Sequence, residues 1–559
     1  MGKFLNSKKA ALLFKDDADS TYFVDKTAIL DELIPIIDPG VRPDNRACCS
    51  GKYLGRSGKY ICIIRPRRFG KSVMANMIAA YFGKGRDTRP VFDQLEVSTR
   101  NWYQAHINQH NVIHIAFNSL PADCTSYRQY IQRIQKRLIR DLIQEYPDVG
   151  ISEDDALWDA LNDILESRTE DVKFIFVLDE WDFIFHRDFV TDKDRAEYID
   201  FLSNLLKDQP YVELAYMTGI LPIAKYSSGS ELNMFLEYTM ASEERFSEFF
   251  GFGESEVDTL FSRYQTLTEC PKVTREGLRV WYNGYHTKGG GRVYNPRSIV
   301  ASLTNNNLGN YWTSAGPYDE IFYYIRHNTA AVRNDLALMV SGIPVRTNVR
   351  EYAAVSMNLT TRDEIFSAMV VYGFLSYENG YVNIPNKELM DKFDDMLQKE
   401  PSLGYIHQLA EKSGQMLKAT LENDTASMLE ILEFAHNTEV PLLTYNHETE
   451  LTAVVNLVYL AARDFYRIER EDRAGIGYVD FIFYPEFDRN ADGIILELKV
   501  GHTPEEALQQ IKNKKYALKF EGKLGEESRY TGRILGVGIT YDKETKVHEC
   551  KIEVLREAL

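Results

Sequence analysis

The segment Cys62-Ile-Ile-Arg65-Pro-Arg67-Arg68-Phe69-Gly70-Lys71-Ser72 decides how the first half of the chain is read. The apolar residues that lead into it, Tyr60–Ile64, predict a buried strand, and Val73–Phe82 after it predicts a helix. A basic loop ending in Gly-Lys-Ser between strand and helix suits a polyphosphate. Backbone N–H groups and the helix N-terminus surround the phosphates, Lys71 neutralises charge, and the Ser72 hydroxyl ligates Mg²⁺. The usual first glycine of such a loop is replaced by Arg65. On spacing alone, a basic strand-to-helix turn therefore remains an open alternative.

Outward from this loop, Val112–Phe117, Lys173–Leu178 and Val212–Met217 read as further buried strands. Helical stretches, including Ser126–Glu145 and Asp194–Lys207, lie between them, and this alternation predicts an α/β fold with a mostly parallel sheet covered on both faces. The strand Phe174-Ile-Phe-Val-Leu-Asp179 ends in Asp179-Glu180. There Asp179 is suited to hold Mg²⁺ and Glu180 to polarise an attacking water. The next strand ends in Met217-Thr218-Gly219, where Thr218 is placed to sense a terminal phosphate. Acidic pairs also cap many solvated strand ends; here the pairing with the upstream Gly70-Lys71-Ser72 gives Asp179 and Glu180 their meaning.

From about residue 220 to 440 helices dominate. The exception is Gly373–Pro385, whose Glu-Asn-Gly centre between alternating runs predicts a hairpin, either a small winged-helix-like unit or a plain hairpin packed on helices. The last 119 residues return to alternation: helix Leu451–Ile468, strands Tyr478–Tyr484 and Ile494–Val500, helix Glu505–Lys519 and strand Ile534–Tyr541. Glu497 and Lys499 share one face of their strand. If the Asp480 strand pairs with it, Asp480, Glu497 and Lys499 converge, and two carboxylates with a lysine can hold Mg²⁺ or Mn²⁺ and direct water at a phosphodiester. An edge-strand ion pair is the ordinary reading of such a triplet. Lys512, Lys515 and Lys519 on one helical face would meet phosphates, or simply form a solvated face.

Composition narrows the classes. At about 100–200 residues per domain, 559 residues predict three or four domains. We place them at 1–225, 226–315 (a helical lid), 316–440 (a helical linker with the hairpin) and 441–559. The net charge of −17 argues against a protein that coats nucleic acid by electrostatics alone, but not against a local basic groove. The six cysteines form no C-x-x-C pair, which suits a reducing compartment. No signal peptide or membrane span is read, so the expectation is cytoplasmic. Position six is Asn6, which argues against myristoylation of Gly2. His106, His110 and His114 have metal-face spacing, but His114 falls inside a predicted strand.

Several phrases resemble one family in order: Tyr22-Phe-Val-Asp-Lys-Thr27, Arg65-Pro-Arg-Arg-Phe-Gly-Lys-Ser72, Leu178-Asp-Glu-Trp-Asp182, Thr218-Gly-Ile220, Trp281-Tyr-Asn-Gly-Tyr285 and Ile384-Pro-Asn-Lys-Glu388. They look like the AAA-ATPase-like proteins of bacteria and some microbial eukaryotes, in which arginine at the first glycine position is normal. The resemblance implies ATP with Mg²⁺ bound by Arg65, Arg67, Arg68, Phe69, Gly70, Lys71, Ser72, Asp179 and Thr218. Arg297 stands where that family tends to carry an aromatic, and residues 38–58 look like an insertion. The C-terminal part resembles the PD-(D/E)XK nuclease-like domain often fused behind such a module. In that carry-over Asp480, Glu497 and Lys499 are the metal and water residues. Glu448, or else Glu450, is the first-helix acid, and Gln510 and Tyr516 lie on a substrate-positioning helix. The expected protein is an ATPase coupled to a metal-dependent nuclease acting on DNA or RNA, and a homo-oligomer. The alternative is a nucleotide-gated scaffold that binds without cutting.

Overall fold

The computed structural model describes residues 2–41, 58–169, 171–223, 231–241, 243–312, 325, 329–349, 359, 361–399, 401–436, 448–474, 477–486, 488–520 and 530–559. Most of the expected insertion, residues 42–57, lies outside them. The chain divides into two compact units, one of residues 1–318 and 347–388, the other of 319–346 and 389–559.

The first unit is built on five parallel strands, β1 (Tyr60–Ile64), β2 (Asn111–Ala116), β3 (Phe174–Asp179), β4 (Val212–Gly219) and β5 (Leu236–Tyr238), in the order β2-β3-β4-β1-β5. Side chains alternate across a sheet, so each apolar strand feeds two cores. Phe174, Phe176 and Leu178 of β3 pack on one face with helices Tyr127–Glu145 and Asp192–Leu206. Ile175 and Val177 pack on the other with α1 (Lys8–Ala18), α2 (Leu30–Ile37) and α3 (Lys71–Phe82). The helix starts are written in the sequence. Ser126 caps the Gln129 amide, and Thr191 forms a reciprocal capping box with Asp194. Strand β5 escapes sequence reading because it is three residues long. Residues 4–6 also lie along the outer edge of β2, with Leu5 bridging Ile113, which covers an otherwise unpaired edge.

Helices Glu254–Leu267, Arg275–Tyr282 and Pro296–Asn305 form a separate small core around Val257, Tyr264, Tyr282 and Ile299. The hairpin is Ser376–Glu378 with Tyr381–Asn383. Asn379 and Gly380 both take positive φ at its turn, the backbone that a tight two-residue turn requires. Its return strand leads to Glu388, 1% exposed, which gathers three donors: the amides of Tyr311 and Trp312, both at 2.6 Å, and the Ser298 hydroxyl at 2.7 Å.

In the second unit, five strands run in spatial order Tyr466–Ala474, Gly477–Pro485, Gly493–Val500, Ile534–Tyr541 and His548–Arg556. All neighbours are antiparallel except Gly493–Val500 with Ile534–Tyr541. Helix Pro504–Asn513 packs Leu508 and Ile511 against Ile482 and Ile495. Two expectations fail here. The helix predicted over 451–468 stops at Val458, and residues 466–474 pair as a strand with 477–485 instead. A charged edge strand looks helical in sequence because its outer face needs no apolar residues. The helix predicted over 505–519 ends at Asn513, with Lys515 in the left-handed region at φ 53°. Lys512 and Lys515 therefore do not share a helical face, and the Lys519 side chain lies outside the described residues.

Replacing Glu388 with Ala takes this acceptor from the Tyr311 and Trp312 amides and the Ser298 hydroxyl, at about 1–3 kcal/mol for each donor left unsatisfied. Chemical denaturation monitored by tryptophan fluorescence should show an earlier transition for the first unit. Glu388→Gln, which keeps an acceptor oxygen, should be milder, and equal midpoints for Glu388→Ala and the parent would contradict the clamp.

Candidate functional site

The loop between β1 and α3 turns through Arg68 at φ 68° and Gly70 at φ 88°. Left-handed backbone is cheap for glycine and costly for arginine, so the turn holds strain of the kind found at ligand sites. Gly70 caps α3, whose first amides open onto a cleft of about 600 Å³, within the usual range of small-molecule sites, about 300–1,000 Å³. Arg67, Arg68, Phe69, Gly70, Lys71 and Ser72 line it together with Glu180. Phe14, Tyr22 and Phe23 supply an apolar wall, and Arg297 stands at its mouth where helix Pro296–Asn305 begins.

Lys71 is buried, and its Nζ donates to the carbonyls of Arg65 and Pro66, both at 2.8 Å. Burial pulls its pKa down to about 8 against the attraction of Asp182, Asp179 and Glu180. Arg65 behaves differently from its neighbours. Its guanidinium donates to Ile64 O at 2.9 Å and Tyr238 O at 2.6 Å and lies over the Phe250 ring. It fastens β5 to the loop, so Arg65 meets the cleft through the Lys71 contact with its carbonyl and its side chain is committed elsewhere.

Acidic groups close the opposite side. Thr218 Oγ1 donates to Asp179 Oδ1 at 2.5 Å across β3 and β4, so Thr218, fully buried, holds Asp179. Glu180 follows at φ 53°, with its pKa raised by burial and by Asp179, and Asn118 hydrogen-bonds its carboxylate. Asp182 accepts the amides of Ile220 and Leu221 at 2.9 and 2.8 Å. Sequence reading assigned nothing to Asn118 or Asp182. An asparagine two residues beyond a strand carries no signal until the neighbouring strand's acid is placed beside it. His106 and His110 stack, Nδ1 to Nε2 at 3.1 Å, and His110 reaches Glu213 at 3.0 Å, while His114 is buried in β2. Their spacing gives no shared metal face.

The second site lies in the other unit. Strand Gly477–Pro485 pairs with Gly493–Val500 in a register that sets Phe481 opposite Leu496. Asp480 Oδ2 then accepts the Leu498 amide at 2.7 Å, which brings Asp480 beside Glu497. Glu497 is 2% exposed. Its Oε1 accepts Lys499 Nζ at 2.9 Å and the Gln510 amide, and Gln510 in turn bonds Tyr516. Its Oε2 is buried with no partner among the described residues. Burial and the Asp480 charge push Glu497 up to about 7, while Lys499 and Lys514 pull it back. Glu448 opens helix Glu448–Val458, and its side chain, like that of Glu450, lies outside the described residues. A buried carboxylate oxygen without a partner among the described residues, on a residue that feels the charge of a second carboxylate, is a donor set that fits a hard divalent cation.

Comparison with family models agrees with this layout. Residues 52–228 match the family model described as a predicted AAA-ATPase, and residues 448–550 that of the PD-(D/E)XK nuclease superfamily. An uncharacterized protein of the vnfD 5′ region of Azotobacter chroococcum mcd 1 is 25% identical over 574 aligned positions, covering 95% of each chain. Among solved structures, a Walker-type ATPase of Pyrococcus abyssi shares 12% identity, 64% of this chain and 99% of that one, at a TM-score of 0.33. The ORC2 protein of Aeropyrum pernix shares 11%, with 65% and 97% covered, at 0.31.

Because Glu497 sits higher in the folded state than its ordinary 4.5, it favours folding below pH 4.5, and that contribution is lost as pH rises through about 7. The second unit should therefore weaken across that window without metal. Glu497→Gln should flatten the profile, and Mn²⁺ above neutrality should restabilise the parent alone. Superimposed melting curves against pH for parent and variant would refute this picture of the site.

Proposed function

We propose that this chain, which joins a domain of the predicted AAA-ATPase family to one of the PD-(D/E)XK nuclease superfamily, hydrolyses ATP in its first unit and cuts nucleic acid phosphodiesters in its second. The observation that carries the reading is the buried Oε2 of Glu497, which has no partner among the described residues, set beside Asp480 with Lys499 at hand. A purely structural ion pair would not leave half of a buried carboxylate without a partner.

In the first unit, the amides from Arg68 to Ser72 would receive the triphosphate, and Lys71 would exchange the two carbonyls that now hold it for phosphate oxygens. Ser72 and Asp179 hold Mg²⁺, which neutralises charge on the phosphates. Thr218 keeps Asp179 in place. Glu180 takes the proton of the attacking water; burial and Asp179 raise its basicity towards that task, and Asn118 fixes its direction. Phe14, Tyr22 and Phe23 surround the base. Residues 1–225 form the ATP-handling core, 226–315 its lid, 316–440 the connection and 441–559 the cutting domain. By analogy with ATPases that complete their site with an arginine from a neighbour, the working form is a homo-oligomer.

In the second unit, Asp480 and Glu497, with Glu448 as a further acid, would hold Mg²⁺ or Mn²⁺, whose chemistry would be to polarise the phosphodiester and lower the pKa of water. Lys499 is paired to Glu497, so its ammonium is fixed where it orients water and stabilises charge developing in the transition state. Gln510, on helix Pro504–Asn513, braces Glu497, and Tyr516, beyond the end of that helix, holds Gln510 in turn.

Two sets of variants test the two halves. Lys71→Ala should abolish the thermal shift produced by ATP, whereas Glu180→Gln should keep the shift and lose turnover by about 10²-fold or more. A Lys71→Ala protein stabilised by ATP like the parent would refute the phosphate assignment. Asp480→Asn should weaken Mn²⁺ binding in calorimetry, because a neutral amide loses the charge that holds a hard cation. Lys499→Ala should bind the metal and fail to cut a labelled oligonucleotide. No cleavage by the parent in Mg²⁺ or Mn²⁺, with or without ATP, would leave the second unit a binding module.

A further inference from the structure

Helix Tyr127–Glu145 buries Tyr130, Ile131, Ile134, Leu138 and Leu142 against the first sheet. Its outward face carries Arg133, Lys136, Arg137 and Arg140, all exposed. Their i, i+3, i+4, i+7 spacing makes one stripe along the helix. At 1.5 Å per residue the stripe is about 10 Å long, the run of about three phosphates of a nucleic acid strand. These four cations and Lys3 line a second cleft of about 330 Å³, floored by Phe4, Ile115 and Phe117 at the carboxyl end of β2.

The cluster is poorly neutralised from within. Asp141, the acid inside the stripe, is 4% exposed and accepts the amides of Phe4 and Leu5 at 2.6 and 3.2 Å, leaving it 4.0 Å from Arg137. Arg140 reaches the exposed Glu153 at 3.3 Å. Arg133 donates to the Ser119 carbonyl at 3.0 Å. Among the described residues, Lys3, Arg133 and Lys136 have no ion pair. Partial burial and the like charges of Arg133, Arg137 and Lys9 pull the Lys3 ammonium below its ordinary value, which fits a cation crowded by its own kind. Concentrating this much positive charge in a chain of net −17 costs stability through repulsion. An anionic ligand removes that cost.

We propose that the Lys3–Arg133–Lys136–Arg137–Arg140 cleft binds the phosphodiester backbone of a nucleic acid strand. Such an anion brings several charges at regular spacing, matching a linear stripe better than a single phosphate would. The assignment rests on the reading of the protein as one that acts on nucleic acid. It also moves the electrostatic footprint away from the C-terminal lysines, where the helix breaks and Lys512 is taken by Glu553. The contacts are to phosphate, so recognition here is independent of sequence.

The test is fluorescence anisotropy of a fluorescein-labelled single-stranded DNA with the full chain in EDTA, titrated at several salt concentrations. Each lost phosphate contact lowers the slope of log K against log salt by about 0.7 on a single strand. The variant Arg133→Gln/Lys136→Gln/Arg137→Gln should bind about tenfold or more weakly and lose about 2 from that slope. Lys136→Gln/Arg137→Gln, which spares the Ser119 contact, should lose about 1.4. The control Lys193→Gln/Lys543→Gln should match the parent, and none of the three variants should unfold at a lower temperature than the parent. Parent-like affinity and slope in both cleft variants, or no binding by the parent, would overturn the proposal. The nuclease reading stands or falls separately. An Asp480→Asn protein that binds the probe, with no cleavage even by the parent in Mn²⁺, would leave the cleft standing and remove the cutting site. Parent-rate cleavage at subsaturating DNA by the triple variant would do the reverse.

Discussion

Both candidate sites depend on a carboxylate carried out of water on a strand buried on both faces. Phe174–Asp179 and Gly493–Val500 are apolar almost throughout because helices or neighbouring strands cover each side. An acid on such a strand faces a desolvation penalty and must find partners inside the protein. Asp179 finds Thr218 on the adjacent strand, and Glu497 finds Lys499 and Gln510. Asp179 accepts from a neutral hydroxyl and lies near Lys71. Glu497 is left with one oxygen that has no partner among the described residues and a second carboxylate beside it. Both arrangements fit the cation proposed above, and in the second the open position is at Glu497.

The loop residues around these acids are arranged for exchange. Lys71 is satisfied by two carbonyls of its own loop, so without nucleotide it is neither unpaired nor locked in a salt bridge. A salt bridge to Asp179 or Glu180 would have to be broken before phosphate could bind. Two carbonyl bonds cost less to give up than a buried ion pair. Arg65, by contrast, has its Nη1 committed to the Ile64 and Tyr238 carbonyls, while its buried Nη2 has no hydrogen-bond partner among the described residues. It replaces the glycine that a flexible loop would use with a side chain that pins the loop to the edge strand.

The sequence was most readable where burial is uniform. The strands around Tyr60, Val112, Phe174 and Val212 stand within two residues of their expected bounds, because two-sided burial demands continuous apolar runs. The convergence of Asp480 with Glu497 was legible as a conditional: it needed the two strands to pair, and they do. The edge strand Tyr466–Ala474 and the early end of helix Pro504–Asn513 were not legible. The first is charged where it faces outward, and the second ends through a left-handed Lys515 that no glycine announces. Asn118, Asp182 and the pairing of Lys3 with the basic stripe on Tyr127–Glu145 belong to tertiary placement. Their residue types are common, and their partners come from segments far away in the chain.

The direct test of the account is X-ray diffraction from crystals grown with Mn²⁺, using its anomalous signal to locate the ion. The predicted result is one strong peak in the second unit, bonded to the Oε2 of Glu497 and to Asp480, and absent from Glu497→Gln crystals. A peak that lies elsewhere in that unit, or an Oε2 that meets only protein donors while Mn²⁺ is present, would contradict it.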